Sequence, residues 1–185
     1  MSAYSPYLVE ESARRSSRTH PNGAALMLDQ VIELYNRMRL RARIGRLWAA
    51  LTRRPNTLEA LAATGPAFAR QGHARVESQT VPVEQIRGSE GRSRDFDRAF
   101  RPLQSGTKDR WVRLALASRE GLALPPVELI QVGDRYFVRD GHHRVSVARA
   151  LGQAYIEAEV TVWQAAGEAP SPERMFVGRL DRAPA

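Results

Sequence analysis

The chain contains no cysteine and a single lysine among its 185 residues. The first absence excludes disulfides, zinc–thiolate sites and thiol nucleophiles, and it leaves the redox compartment open. The second removes the P-loop, because Lys108 has no GxxxxGK[ST] context in which to cradle phosphates. No apolar run approaches the ~18 residues that a membrane span needs. Residues 1–23 lack the apolar core of a secretory signal, so the expected location is cytoplasmic. Acidic residues are missing from one long stretch: Arg37 to Arg54 holds seven arginines and no Asp or Glu.

What is present is basic and uneven. The net charge is +8, and residues 1–75 hold 12 basic side chains against 5 acidic ones, while residues 76–185 hold 16 against 15. The basicity thus belongs to the N-terminal part. Composition divides the chain into a polar segment expected to be mobile (1–23), a helical basic extension (24–75), an α/β domain (76–165) and a proline-bearing tail (166–185).

Between Ala24 and about Leu51 there is no proline, and the composition favours helix. Val31, Leu34, Tyr35, Met38 and Ala42 form one apolar stripe, and Leu40, Ile44, Leu47 and Leu51, with Trp48 beside them, form a second on nearly the opposite side. Either a single helix is gripped on two faces, or it breaks near Gly45. Thr57–Ala62 is a short helix candidate. Strand character follows within Arg75–Ile86, then a loop over Gly88–Arg94, and helices over Asp95–Phe100 and Lys108–Arg119. Val127–Val132 and Arg135–Arg139 flank Gly133-Asp134 as a hairpin. His143–Leu151 reads as a helix with Gly152 at C′, and Ala158–Trp163 as a last strand.

The segment Arg139–Gly152, RDGHHRVSVARALG, carries the most informative pattern. Asp140 suits a turn or N-cap, and Gly141 a tight bend. The helix that follows exposes unpaired N–H groups and a partial positive charge at its start. His142, His143 and Arg144 in that first turn are electrostatically misplaced, each by about 0.3–1 kcal/mol at an exposed end. The conflict disappears if an anion occupies the site, with Gly141, His142, His143 and Arg144 converging on phosphate oxygens. The alternative is that Arg144 pairs with a carboxylate while a histidine packs in the core. A metal held jointly by Asp140, His142 and His143 is disfavoured, because adjacent residues on a helix diverge by about 100° each.

The stretch from about Val81 to Val162, somewhat under half of the chain, resembles the ParB/sulfiredoxin superfamily. The resemblance lies in VPVEQI, in PPVELIQVGDRYFVRDGHHRVSVARALG, and in Gly141, Arg144 and Ala148 of the phosphate-binding strand–helix unit. It implies an α/β (α+β) fold with a small mixed sheet and flanking helices, here preceded by an Arg-rich helical extension. The Asp140–Arg144 pentad is similar to that of the free-serine kinase branch. Partitioning proteins more often carry a Gly-Glu-Arg-Arg box. His142 stands where sulfiredoxins have their catalytic cysteine, and with no cysteine that reductase chemistry is excluded. The resemblance implies a nucleotide ligand (ATP, ADP or CTP) and Mg²⁺ if the protein is catalytic. Asp140 or Glu90 would then bind the metal or orient the acceptor, with His143 at the phosphates. Ser89 has no assigned role. Arg92 and Arg94 either reach phosphates or pair with Asp95 and Asp97.

The Arg-rich helix supports a competing reading. Arg39, Arg43 and Arg46 share one face at helical pitch and are candidates for DNA or RNA contact. A basic amphipathic helix also suits an anionic membrane surface, but both apolar stripes are expected to serve the core. Three function classes stand: a nucleotide-handling enzyme of phosphoryl transfer or hydrolysis, a ParB-like DNA-binding or nuclease protein, and a non-catalytic nucleotide-sensing module. A homodimer is a further candidate assembly.

Overall fold

The computed structural model describes residues 21–64 and 76–163; the expected mobile N-terminal segment (but for its last three residues) and the C-terminal tail lie outside them. Helix α1 spans Pro21–Thr52, followed by β1 (Glu59–Ala60), β2 (Val76–Pro82), β3 (Ile86–Ser89), α2 (Lys108–Arg119), β4 (Val127–Val132), β5 (Arg135–Asp140), α3 (His142–Ala150) and β6 (Tyr155–Trp163). The strands form one six-stranded mixed sheet in the order β1-β3-β5-β4-β6-β2. The fold is mixed α+β, as expected.

Alternation along the central strands builds two apolar faces. Val127 and Leu129 of β4, Tyr136 and Val138 of β5, and Ala158 and Val160 of β6 join one core with Phe96, Phe100 and Val145. Ile130, Val132 and Phe137 point the other way, onto Leu61 and Trp163. The β4–β5 hairpin turns at Gly133, whose φ of +60° is glycine's own region. A crossover through α3 then brings β6 parallel to β4, and β2 closes the far edge antiparallel to β6.

A second layer of helices covers α3. Val31, Tyr35 and Met38 of α1 pack against Trp111, Val112 and Ala115 of α2 and Val147 of α3. Trp111 is fully buried and donates its indole N–H to Ser146 Oγ at 2.9 Å. Burying an aromatic of this size contributes about 1.5–3 kcal/mol. The helix that carries the histidines is thus held between the sheet and α2.

Four expectations change. Helix α1 is continuous through Gly45, and only its first stripe is gripped: Val31, Tyr35, Met38 and Ala42 are buried, whereas Leu40, Ile44, Leu47, Trp48 and Leu51 face outward. Thr57–Ala62 is no helix, because Glu59–Ala60 pairs in parallel with Gly88–Ser89 and turns into a short 3₁₀ segment, Leu61–Thr64. The extension therefore supplies an edge strand to the domain it was expected to precede. Ile86–Ser89 is a strand where a loop was expected from Gly88, fixed by its neighbours β1 and β5 rather than by propensity. Asp95–Phe100 is a turn-rich loop, since the buried Asp97 carboxylate accepts from Ala99 N, Arg101 N and Arg101 Nε and draws Phe100 to a φ of +57°.

Gly88 lies where the sheet is tightest. A Cβ there would collide with the Glu59 carbonyl oxygen and lie 2.5 Å from Phe137 Cδ1. We expect Gly88→Ala to destabilise the fold by about 1–3 kcal/mol in urea unfolding. Gly91→Ala, in open space, should stay within about 0.5 kcal/mol; equal effects of the two would contradict this packing.

Candidate anion-binding site

Strand β5 passes into α3 through a single residue. Gly141 adopts φ +96°, and a Cβ there would sit 2.6 Å from Val127 Cγ1. Only glycine satisfies both the left-handed backbone and the close approach of β4. Gly141, not Asp140, is the N-cap, and no side chain caps the first turn. The first backbone bond of the helix runs from Val145 N to Gly141 O at 3.0 Å. The N–H groups of the first turn are therefore left to a ligand or to water.

Ser89, without a role in the sequence, organises one side of this turn. Its Oγ accepts from Arg92 N at 2.8 Å and Gly91 N at 3.2 Å. With both lone pairs used, the hydroxyl hydrogen goes to His142 Nε2, 2.7 Å away. The His142 proton then resides on Nδ1. Both side chains are buried, and the His142 ring stacks on Phe96 with centroids 5.9 Å apart. Burial, with Arg92 second, lowers the His142 pKa to about 4. The signal for this arrangement was Ser89 two and three residues before Gly91 and Arg92, the spacing of a serine that bonds its own loop backbone.

His143 is only 6% exposed, and its Nε2 is buried without a hydrogen-bond partner. The ring meets Phe96 edge-on at 5.3 Å. Burial, then the nearby Arg110 and Arg92 charges, lowers its pKa to about 4. Both imidazoles are thus neutral near pH 7, which removes part of the electrostatic conflict inferred from the sequence. What survives is an uncapped first turn with an unsatisfied buried nitrogen beside it.

Arg144 is engaged elsewhere. Nη1 donates to the Pro125 and Pro126 carbonyls at 2.7 and 2.6 Å, and Nη2 to Asp140 Oδ2 at 2.6 Å. Its guanidinium braces the entry to β4 against the start of α3; this is the carboxylate-paired alternative, and these bonds do not point to phosphates. Glu90 is similarly paired, with Arg139 Nε at 3.0 Å. The Asp97 carboxylate pairs with Arg101 and that of Asp95 accepts from Gln104 at 3.0 Å; Asp95 meets Arg92 through the backbone, its N–H donating to the Arg92 carbonyl at 3.2 Å. Among the described residues no three His, Asp or Glu side chains gather as a metal cluster. Asp140 is more than half exposed and places one oxygen, Oδ2, on Arg144 Nη2. Arg39, Arg43 and Arg46 lie on α1, outside the set of residues around the α3 N-terminus.

No family model matches the chain, and no curated protein matches it. Among solved structures it is similar to sulfiredoxin from Arabidopsis thaliana, at 23% identity over 45% of this chain and 83% of that chain, with a TM-score of 0.35. That likeness is one of fold alone.

The depressed histidines give a signed pH dependence. Between the unfolded value of 6.5 and the folded value of about 4, the unfolded chain binds more protons than the folded one. Stability is therefore full above pH 6.5 and declines as pH falls toward 4. The urea midpoint should drop between pH 7 and pH 5, and less so in His143→Leu; a midpoint indifferent to pH in this range would contradict the burial. Ser89→Ala should cost about 1–3 kcal/mol by stranding buried partners. It should also erase the Nδ1–H preference of His142 in imidazole ¹⁵N spectra.

Proposed function

We propose that the first turn of α3 binds the phosphates of a nucleoside di- or triphosphate, and that the protein transfers or hydrolyses the terminal phosphoryl group. The observation that carries this reading is His143 Nε2, a buried nitrogen without a partner at an uncapped helix N-terminus. A native fold leaves such an atom unsatisfied at a cost of about 1–3 kcal/mol, which a ligand oxygen would offset.

The chain's own groups divide the work. Gly141 lets the backbone turn so that the N–H groups of residues 142–144 face the anion. His142 presents Nδ1–H, fixed by Ser89, as a neutral donor. His143 adds a second imidazole contact. Arg92 and Arg110, whose charges depress His143, supply the positive field that phosphate oxygens need. Arg144 is a positioning residue, tying Asp140 and the Pro125–Pro126 carbonyls to the turn. Asp140 would hold a magnesium ion through its free oxygen; bound there, the ion would neutralise charge on the transferring group. The similarity of Asp140–Arg144 to free-serine kinases supports phosphoryl transfer, with Glu90 orienting the acceptor hydroxyl.

One observation favours a second reading, binding without turnover: Glu90 is held by Arg139 and is not free to act as a base. Nucleotide consumption separates the two.

In a thermal-shift screen of ATP, ADP, CTP and GTP with and without Mg²⁺, one ligand at 100 times its Kd should stabilise by about 2.7 kcal/mol. For a chain of this size that raises Tm by roughly 5–10 °C. His143→Leu should abolish the shift while keeping or raising intrinsic stability, because it replaces an unsatisfied polar group by an apolar one of similar size. A flat screen with all four nucleotides would contradict the reading. So would an undiminished shift in His143→Leu.

A further inference from the structure

Helix α1 carries two apolar stripes, and the fold uses one. Val31, Tyr35, Met38 and Ala42 are buried, while Leu40, Ile44, Leu47, Trp48 and Leu51 are exposed by 59, 47, 73, 61 and 77%. At 3.6 residues per turn these five share one outward face. On the inner side of this half of the helix Ala42 is buried, and a Cβ on Gly45 would meet Asn56 Nδ2, from the segment just after the helix, at 2.6 Å and Arg101 Nη2 at 3.7 Å. From Arg46 to Thr52 every residue is exposed except the half-buried Ala49, so the apolar face is carried into solvent by the end of the helix.

Charge narrows what covers it. Helical pitch sets Arg41 on one side of the stripe and Arg43 on the other, with Arg37 in line with the stripe one turn before Leu40, and no acidic residue occurs from Arg37 to Arg54. Arg37 has an exposed contact with Glu33 at 3.7 Å, too long and too wet to neutralise it. A second copy of this face would set arginine against arginine with no carboxylate between them. Nucleic acid would satisfy the arginines and leave five large apolar side chains in water. A single partner helix would have to bring acids to both flanks of the stripe. An anionic headgroup layer brings negative charge to every side of a helix lying in it, accepts the leucines and isoleucine beneath, and suits the amphipathic indole of Trp48 at its boundary.

We propose that the outward face of α1, from Leu40 to Leu51, docks the protein on an anionic lipid bilayer. The helix lies in the interface and does not cross it; no helix among the described residues is long and apolar enough to span a membrane. The arginine stems extend over the apolar stripe and place their guanidinium groups among the lipid phosphates. This inference is independent of the phosphate site on α3.

The test is vesicle co-sedimentation of the full chain. Vesicles of phosphatidylcholine containing about 30 mol% phosphatidylglycerol are compared with phosphatidylcholine alone, at low and high salt. We expect binding to the anionic vesicles that weakens with salt. It should fall at least about tenfold both in Leu47→Ser/Trp48→Ser and in Arg41→Glu/Arg43→Glu. All four positions are exposed, so circular dichroism melting should report both variants as folded. Equal binding to neutral and anionic vesicles would overturn the proposal, as would unchanged binding in either variant. A dimer in analytical ultracentrifugation that Leu47→Ser/Trp48→Ser dissolves, without vesicle binding, would assign the face to a second copy. Salt-sensitive duplex DNA binding lost in Arg41→Glu/Arg43→Glu, without vesicle binding, would assign it to nucleic acid.

Discussion

The close approach of Val127 to the backbone of Gly141 governs the rest of the molecule. Strand β5 ends beside β4, and the chain must leave the sheet at once to become α3. With Val127 Cγ1 only 2.6 Å from where a Cβ would lie, only a glycine in the left-handed region makes that exit. The exit sets the direction of α3, and with it the place where the helix leaves its first N–H groups uncapped. Arg144 then locks the geometry by reaching back to Pro125, Pro126 and Asp140. A guanidinium that reads in the sequence as a ligand-binding charge is used to hold the start of α3 in place.

The histidines follow from the same constraint. Because α3 is pressed between sheet and α2, its first turn is buried, and two imidazoles there lose their charge to desolvation. Neutral imidazoles at a helix N-terminus donate hydrogen bonds without opposing the helix dipole. Ser89 adds direction: by accepting two backbone N–H groups it commits its own hydrogen to His142 Nε2. The outcome is a set of oriented neutral donors with the exposed Arg92 and Arg110 beside them. That combination is the basis of the proposed anion site.

Much of this was legible in the sequence, for identifiable reasons. The hairpin around Gly133, helix α2 and helix α3 with Gly152 behind it each combine strong periodicity with a glycine stop, so local signals and tertiary packing agree. The DGHHR segment located the candidate site. Strand β3 was hidden because Gly88 has poor strand propensity, and only the crowding by Glu59 and Phe137 explains its presence. The 95–100 loop was hidden because its conformation is dictated by one buried carboxylate, Asp97. Ser89 was overlooked because its importance is a contact across 53 residues with His142. The second stripe of α1 was visible, but a sequence does not state whether an apolar face meets its own core or something else.

Anion binding at the start of α3 is tested most directly by the imidazole ¹⁵N resonance of His143 during a titration with inorganic pyrophosphate. A saturable shift of Nε2 is expected, as the unsatisfied nitrogen gains a partner, with Nε2 of His142 unmoved because Ser89 already occupies it. A His143 resonance that stays put through saturating pyrophosphate, while the protein remains folded, would contradict it.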